Sequence, residues 1–169
     1  EFIICNKDSN NIFEGNDDPN FRITKFEFKK LPTCPIWMSP KTLEFVKFCK
    51  EFCENASILS AGDRIPDIYR SDGGNFNFDY YWKIRNRSNG KYVGTPARIG
   101  NSTGIIEISK SDFLKYSIPM RMVILLHEYS HKFMNPQTNL AISYETGADI
   151  NALLLYLSLG FSPIECHYA

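Results

Sequence analysis

The chain has 169 residues, enough for one domain that buries a core of its own without covalent staples. Its 19 Lys and Arg balance 19 Asp and Glu, so net charge nominates neither nucleic acid nor an anionic membrane as a partner. The five cysteines, odd in number and unevenly spread, do not form a disulfide framework, and a reducing, cytoplasmic compartment is the simpler expectation.

The first residues lack a basic region followed by a long apolar run, so no signal peptide is predicted. The longest apolar stretch, 150 to 161, is interrupted by Asn151 and Ser158 and is too short to span a bilayer, so a soluble chain with no membrane span is expected. The chain begins at Glu1 without a Met. It stops at Ala169, soon after Ser162-Pro163-Ile164-Glu165, which reads as a new helix start. A processed product or a fragment of a longer protein is expected.

Residues 1 to 31 read as an N-terminal arm or edge strands. Phe2 to Cys5 and Phe21 to Phe28 are strand-like, separated by an Asn-, Asp- and Ser-rich loop. Such an arm can pack on the domain or dock into a larger assembly. Residues 32 to 169 read as the domain itself. Pro32, Pro35 and Pro40 lead to a helix over 40 to 55, whose apolar face carries Phe45, Phe48 and Phe52. Cys49 and Cys53 on the same helix are expected to be small buried hydrophobes, because no nearby residues complete a soft metal site.

From Asn75 the period becomes that of a strand, with Phe76, Phe78, Tyr80 and Trp82 alternating with other residues. Asn86 to Gly90 is a turn into Lys91 to Val93, which predicts a hairpin. Lys83, Arg85, Arg87, Lys91 and Arg98, with nearby tyrosines, form a solvated strand face in a neutral protein, and no nucleic acid is predicted. A second hairpin joins Ala97 to Ile99 with Gly104 to Ser109 across residues 100 to 103. Its returning strand, Gly104, Ile105, Ile106, Glu107 and Ile108, is a candidate to receive an extended peptide as an added strand, with a plain sheet strand as the alternative.

Ser117 and Pro119 open a helix to about Met134, apolar all round over Met122 to Leu126 and ended by Asn135-Pro136. This helix carries His127-Glu128-Tyr129-Ser130-His131, using two of the three histidines in the chain. Residues four apart on a helix lie one turn above each other on one face. Two imidazoles so placed can fill two corners of a tetrahedral zinc site, with Glu128 beside them as a general base. A catalytic zinc takes three protein ligands and leaves one position open.

The next helix, about Ile142 to Leu159 with Gly160 as its C-terminal cap, offers the third ligand in Tyr144-Glu145-Thr146-Gly147-Ala148-Asp149. Glu145 is the candidate ligand. Asp149, four residues on, shares its face and can accept the free N–H of a ligating histidine. Because Ile150, Leu153, Leu154 and Leu157 follow, both carboxylates are expected toward the core, where they must be paired or bound to metal. His167, Tyr168, Tyr144 and Tyr156 are candidates for an oxyanion donor, with nothing in the sequence to choose among them.

The pair of motifs, with Ala152-Leu-Leu-Leu and Leu159-Gly-Phe-Ser-Pro163 behind it, resembles the gluzincin clan of metallopeptidases over residues 97 to 163. The HtpX/CAAX-protease and ImmA/IrrE types are the most similar flavours. The resemblance implies an α+β, zincin-like metallopeptidase fold: a small mixed sheet, an active-site helix and a third-ligand helix. It also implies one Zn2+ per chain held by His127, His131 and Glu145, Glu128 as base, Asp149 behind a ligand, and a protein or peptide substrate. The transmembrane helices of the first type and the DNA-binding helix-turn-helix often fused to the second are missing, and residues 1 to 75 match neither. The expected activity is therefore that of a zinc-dependent endopeptidase. The alternative is a catalytically silent zincin-fold module of a larger assembly, for example a phage particle, with a virion-associated location.

Overall fold

The computed structural model describes residues 2–5, 27–30, 38–134 and 144–160. In the N-terminal arm it contains β1 (Phe2–Cys5) and β2 (Glu27–Lys30), paired antiparallel with Phe2 opposite Lys30 and Cys5 opposite Glu27. The expected strand start at Phe21, the expected helix stop at Asn135-Pro136, and the first residues of the expected third-ligand helix lie outside the described residues.

Helix α1 (Pro40–Asn55) begins where Ser39 and Pro40 allow. The Ser39 hydroxyl accepts the Thr42 N–H at 3.1 Å, and proline loses nothing at a position whose N–H has no intrahelical partner. Thr42, Phe45, Val46, Cys49, Phe52 and Cys53 recur at helical spacing and form its buried face. Cys49 and Cys53 are free and fully buried, as small hydrophobes are.

Four strands follow: β3 (Asp67–Arg70), β4 (Asn77–Tyr81), β5 (Ala97–Ile99) and β6 (Ile106–Ser109). They form one sheet in the order β3-β4-β6-β5, in which β4 and β6 run parallel and the other neighbours antiparallel. With its helices this makes a mixed α+β fold. Phe78, Tyr80, Ala97, Ile106 and Ile108 bury one face of the sheet, beside Phe45, Phe52, Phe113, Leu125, Leu126 and Tyr129. Edge-to-face and stacked aromatic contacts dominate this core, among them Phe45 on Tyr129 at 4.3 Å and Phe48 on Phe78 at 4.2 Å. Each such pair contributes about 0.5–1.5 kcal/mol beyond its burial.

Two expectations are corrected here. The alternation ends at Tyr80, because Trp82 is about half exposed. Residues 84 to 93 do form a local hairpin around Gly90, with Asn86 N–H on Lys91 C=O at 2.7 Å and Val93 N–H on Ile84 C=O at 2.9 Å. That hairpin is not the sheet partner of β4. Its place is taken by β6, which reaches β4 through a crossover and pairs in parallel.

A short helix α2 (Lys110–Phe113) leads to α3 (Ile118–Phe133), and α4 (Tyr144–Ser158) packs on α3 more extensively than any other pair of elements. Gly147, Ala148 and Ala152 are buried in α4, and side chains this small let two helix backbones approach closely. Gly160 follows α4 at φ 82°, the left-handed conformation that ends helices and that glycine adopts without strain. Among the described residues no helix is long and apolar enough to cross a membrane.

Candidate metal centre

The five-residue motif on α3 is oriented by its two inner positions. Tyr129 and Ser130 are buried. The Tyr129 ring stacks on Phe45, and its hydroxyl lies 2.9 Å from that of Thr42 on α1. The Ser130 hydroxyl donates to the Leu126 carbonyl at 2.7 Å. On a helix Tyr129 points about opposite to the mean direction of His127 and His131, so anchoring Tyr129 in the core turns both imidazoles toward α4.

There the rings converge. His127 Nε2 and His131 Nε2 are 2.8 Å apart, and Glu145 Oε2 is 3.3 Å from each. Two donors on one zinc at about 2.0–2.1 Å and a tetrahedral angle would be separated by about 3.3 Å. His127 Nδ1 faces Asp149 Oδ1 at 2.7 Å. That contact places the ring proton on Nδ1 and leaves the Nε2 lone pair for a ligand. Burial, and after it the neighbouring His127, lowers the His131 pKa against the pull of Glu145, which favours the neutral, ligating form. Two imidazole nitrogens and a carboxylate oxygen within 4.8 Å of one another thus form a donor set that can hold a metal ion.

The Glu145 and Asp149 side chains are largely exposed, at 71% and 63%, whereas those of His127 and His131 are 20% and 8% exposed. The expectation that both acids face the core is therefore corrected. They lie on the solvent side of the histidines, so their orientation comes from the ligand cluster and not from burial against Leu153 or Leu157.

Glu128 points a different way. Its Oε2 accepts the backbone N–H of Ile99 in β5 at 2.8 Å. Burial raises its pKa above the ordinary value, against the opposing pull of His127 and of the Ile99 N–H, while Glu145 adds to the rise. The donor belongs to the outer edge of the sheet. Gly100 N–H bonds Ile105 C=O and Ser109 N–H bonds Pro96 C=O, which by antiparallel alternation turns the backbone groups of Ala97 and Ile99 outward.

The expected substrate strand is corrected accordingly. Ile106, Glu107 and Ile108 of β6 are buried and paired on both sides, to β4 and to β5, so this strand has no edge to offer. Gly104 turns into the strand at φ 72°, and Ile105 C=O is taken by Gly100. Glu107 instead pairs with Arg98 and, at 2.8 Å, with Arg87. Among the described residues the sheet edge beside Glu128 is β5. Residue pattern alone did not reveal this, because β5 is three residues long and its edge position depends on sheet order.

Of the oxyanion candidates, Tyr144 donates its hydroxyl to the His131 carbonyl at 2.7 Å. Tyr156 is fully buried in the core, and His167 and Tyr168 lie outside the described residues. No protein-family model, curated protein or solved structure matches this chain.

Proposed function

We propose that this chain is a zinc-dependent metallopeptidase of zincin-like fold, with His127, His131 and Glu145 as the metal ligands and Glu128 as the general base. The observation that carries the reading is the convergence of two Nε2 atoms and one carboxylate oxygen from two helices, with a partly buried glutamate next to the first histidine. Zinc is favoured over other divalent ions by the two-imidazole, one-carboxylate donor set.

When bound, the metal supplies a Lewis acid for the scissile carbonyl and a water acidified toward neutrality. The protein supplies the rest. Asp149 holds the His127 ring in the tautomer that leaves Nε2 bare. Glu128 accepts the water proton at its carboxylate and returns it to the leaving nitrogen, a role for which a raised pKa is suited. Along the outward-facing backbone of β5, the Ala97 C=O accepts the Thr95 hydroxyl at 2.8 Å and the Ile99 N–H is held by Glu128. Once these local bonds are exchanged, β5 gives an extended peptide a strand to pair with, which makes an endopeptidase the natural form of the activity.

The test is elemental analysis of the wild type, Glu145→Ala and Glu128→Gln, with cleavage of an unstructured protein substrate measured on the same samples. About one zinc per chain in the wild type and in Glu128→Gln, lost in Glu145→Ala, with cleavage in the wild type alone, is the expected pattern. A wild type that binds no zinc would overturn the reading. Zinc without turnover would assign the fold to a silent module of a larger assembly.

A further inference from the structure

The two histidines of the cluster are not held alike. The His127 ring is fixed by a hydrogen bond from its outer nitrogen to Asp149, as metal-binding imidazoles ordinarily are. His131 Nδ1 is buried and, among the described residues, has no hydrogen-bond partner. Beyond its Nε2 contacts with His127 and Glu145, the plane of that ring is set by what packs against its face. Tyr144, the first residue of α4, stacks on it with ring centroids 4.4 Å apart and planes 27° from parallel. The Tyr144 hydroxyl also bonds the His131 carbonyl at 2.7 Å, one of the last-turn carbonyls that a helix leaves without an internal donor. The next residue along α4 is Glu145.

We propose that Tyr144 is the positioning residue for His131: its ring takes over the orienting role that a hydrogen bond to Nδ1 would otherwise fill. Its hydroxyl adds one exposed hydrogen bond between the start of α4 and the last turn of α3. The inference rests on the metal-site reading above and adds to it a ligand oriented by stacking. The two contacts separate by substitution. Tyr144→Phe keeps the ring and loses the hydroxyl, and Tyr144→Leu loses both. Tyr144 is 40% exposed, so neither change opens a cavity in the core.

The experiment titrates the full chain with Zn2+ against a competing chelator. It also records the visible absorption of the Co2+-loaded protein, which reports the geometry of the donor set independently of turnover. Loss of an orienting partner of a metal ligand typically lowers affinity about 10- to 100-fold, and that is the expectation for Tyr144→Leu, with altered Co2+ bands. Tyr144→Phe should stay within about threefold of the wild type and keep its bands, the residual loss being that of one exposed hydrogen bond. Wild-type affinity and bands in Tyr144→Leu would overturn the inference while leaving the metal site intact. So would an equal loss in both variants, which would assign the effect to the hydroxyl alone. A wild type that takes up neither metal would overturn the metal-site reading together with this one.

Discussion

The backbone N–H of Ile99 donates to the Glu128 carboxylate at 2.8 Å, joining β5, the outermost of the described strands on that side of the sheet, to the helix that bears both histidines. The group that holds the proposed base is therefore one that an added peptide strand would use. Pairing of substrate with β5 and release of Glu128 from β5 become linked events. Ile99→Pro deletes this donor at an edge position whose N–H takes no part in the ladder, where proline is best tolerated in a sheet. Losing one backbone hydrogen bond to substrate is worth about 0.5–1.5 kcal/mol, so KM for an extended peptide should rise about 2- to 12-fold. Steady-state kinetics beside Ile99→Val, which keeps the N–H, provide the measurement. An unchanged KM in the proline variant would remove β5 from the substrate site.

In the proposed site, Asp149 acts on the metal through His127. Asp149→Ala leaves Nδ1 without its 2.7 Å acceptor, frees the tautomer and lets the ring turn. Zinc affinity measured by chelator competition should fall about 10- to 100-fold, with the fold unaltered because the side chain is 63% exposed. Retention of full affinity would mean that the contact is incidental to ligation.

Much of this site is legible in the chain because its logic is local. His127 with His131 and Glu145 with Asp149 are both i, i+4 pairs, and helix geometry alone places each pair on one face. The start of α1 is equally local, written in Ser39-Pro40 and realised in the Ser39 to Thr42 cap. What escaped prediction depends on pairing between distant segments. β3 is four residues with Ile68 more than half exposed, and it becomes a strand only by pairing with β4. The parallel β4–β6 pairing makes β6 internal and β5 the edge, which moves the candidate peptide-binding strand from residues 104–108 to residues 97–99. The exposure of Glu145 and Asp149 escaped for a related reason. The apolar run beside them is not the core face of α4: Ile150 and Leu154 are themselves exposed, and the helix buries Gly147, Ala148, Ala152, Leu155 and Tyr156 instead.

The Tyr129 hydroxyl joins the middle of the histidine motif to α1 across a span of 87 residues. Tyr129→Phe removes a buried hydrogen bond while keeping the ring on Phe45. Thr42 Oγ1 retains its 2.9 Å contact with Ser39, so no orphaned polar group remains. The cost should be about 1 kcal/mol, or about 2–4 °C in Tm for a chain of this size. Differential scanning calorimetry checks it. A shift well beyond that range would mean that the hydroxyl pair organises α3 and does more than join it to α1.

Glu44 on α1 clamps the turn before β4. Its carboxylate accepts the Ser71 hydroxyl at 2.5 Å, the Asn75 side-chain amide at 2.7 Å and the Asn75 backbone N–H at 3.3 Å. Gly73 passes so close that a Cβ there would lie 2.6 Å from the carboxylate and would push it out of its present position. The Ser71 hydroxyl first, and then the Asn75 side chain, hold the Glu44 pKa below its ordinary value of 4.5. A depressed carboxyl pKa means that the unfolded chain binds the proton more tightly than the folded one. The stabilisation is thus fully present above the ordinary value and is lost as pH falls through the lowered one. Glu44→Gln, which cannot ionise, should melt below the wild type near neutrality, and the gap should close as acid protonates the wild-type carboxyl. Thermal melts of both proteins from pH 7 down through the carboxylate range decide the matter, and a gap that stayed constant with pH would show that the clamp does not depend on charge.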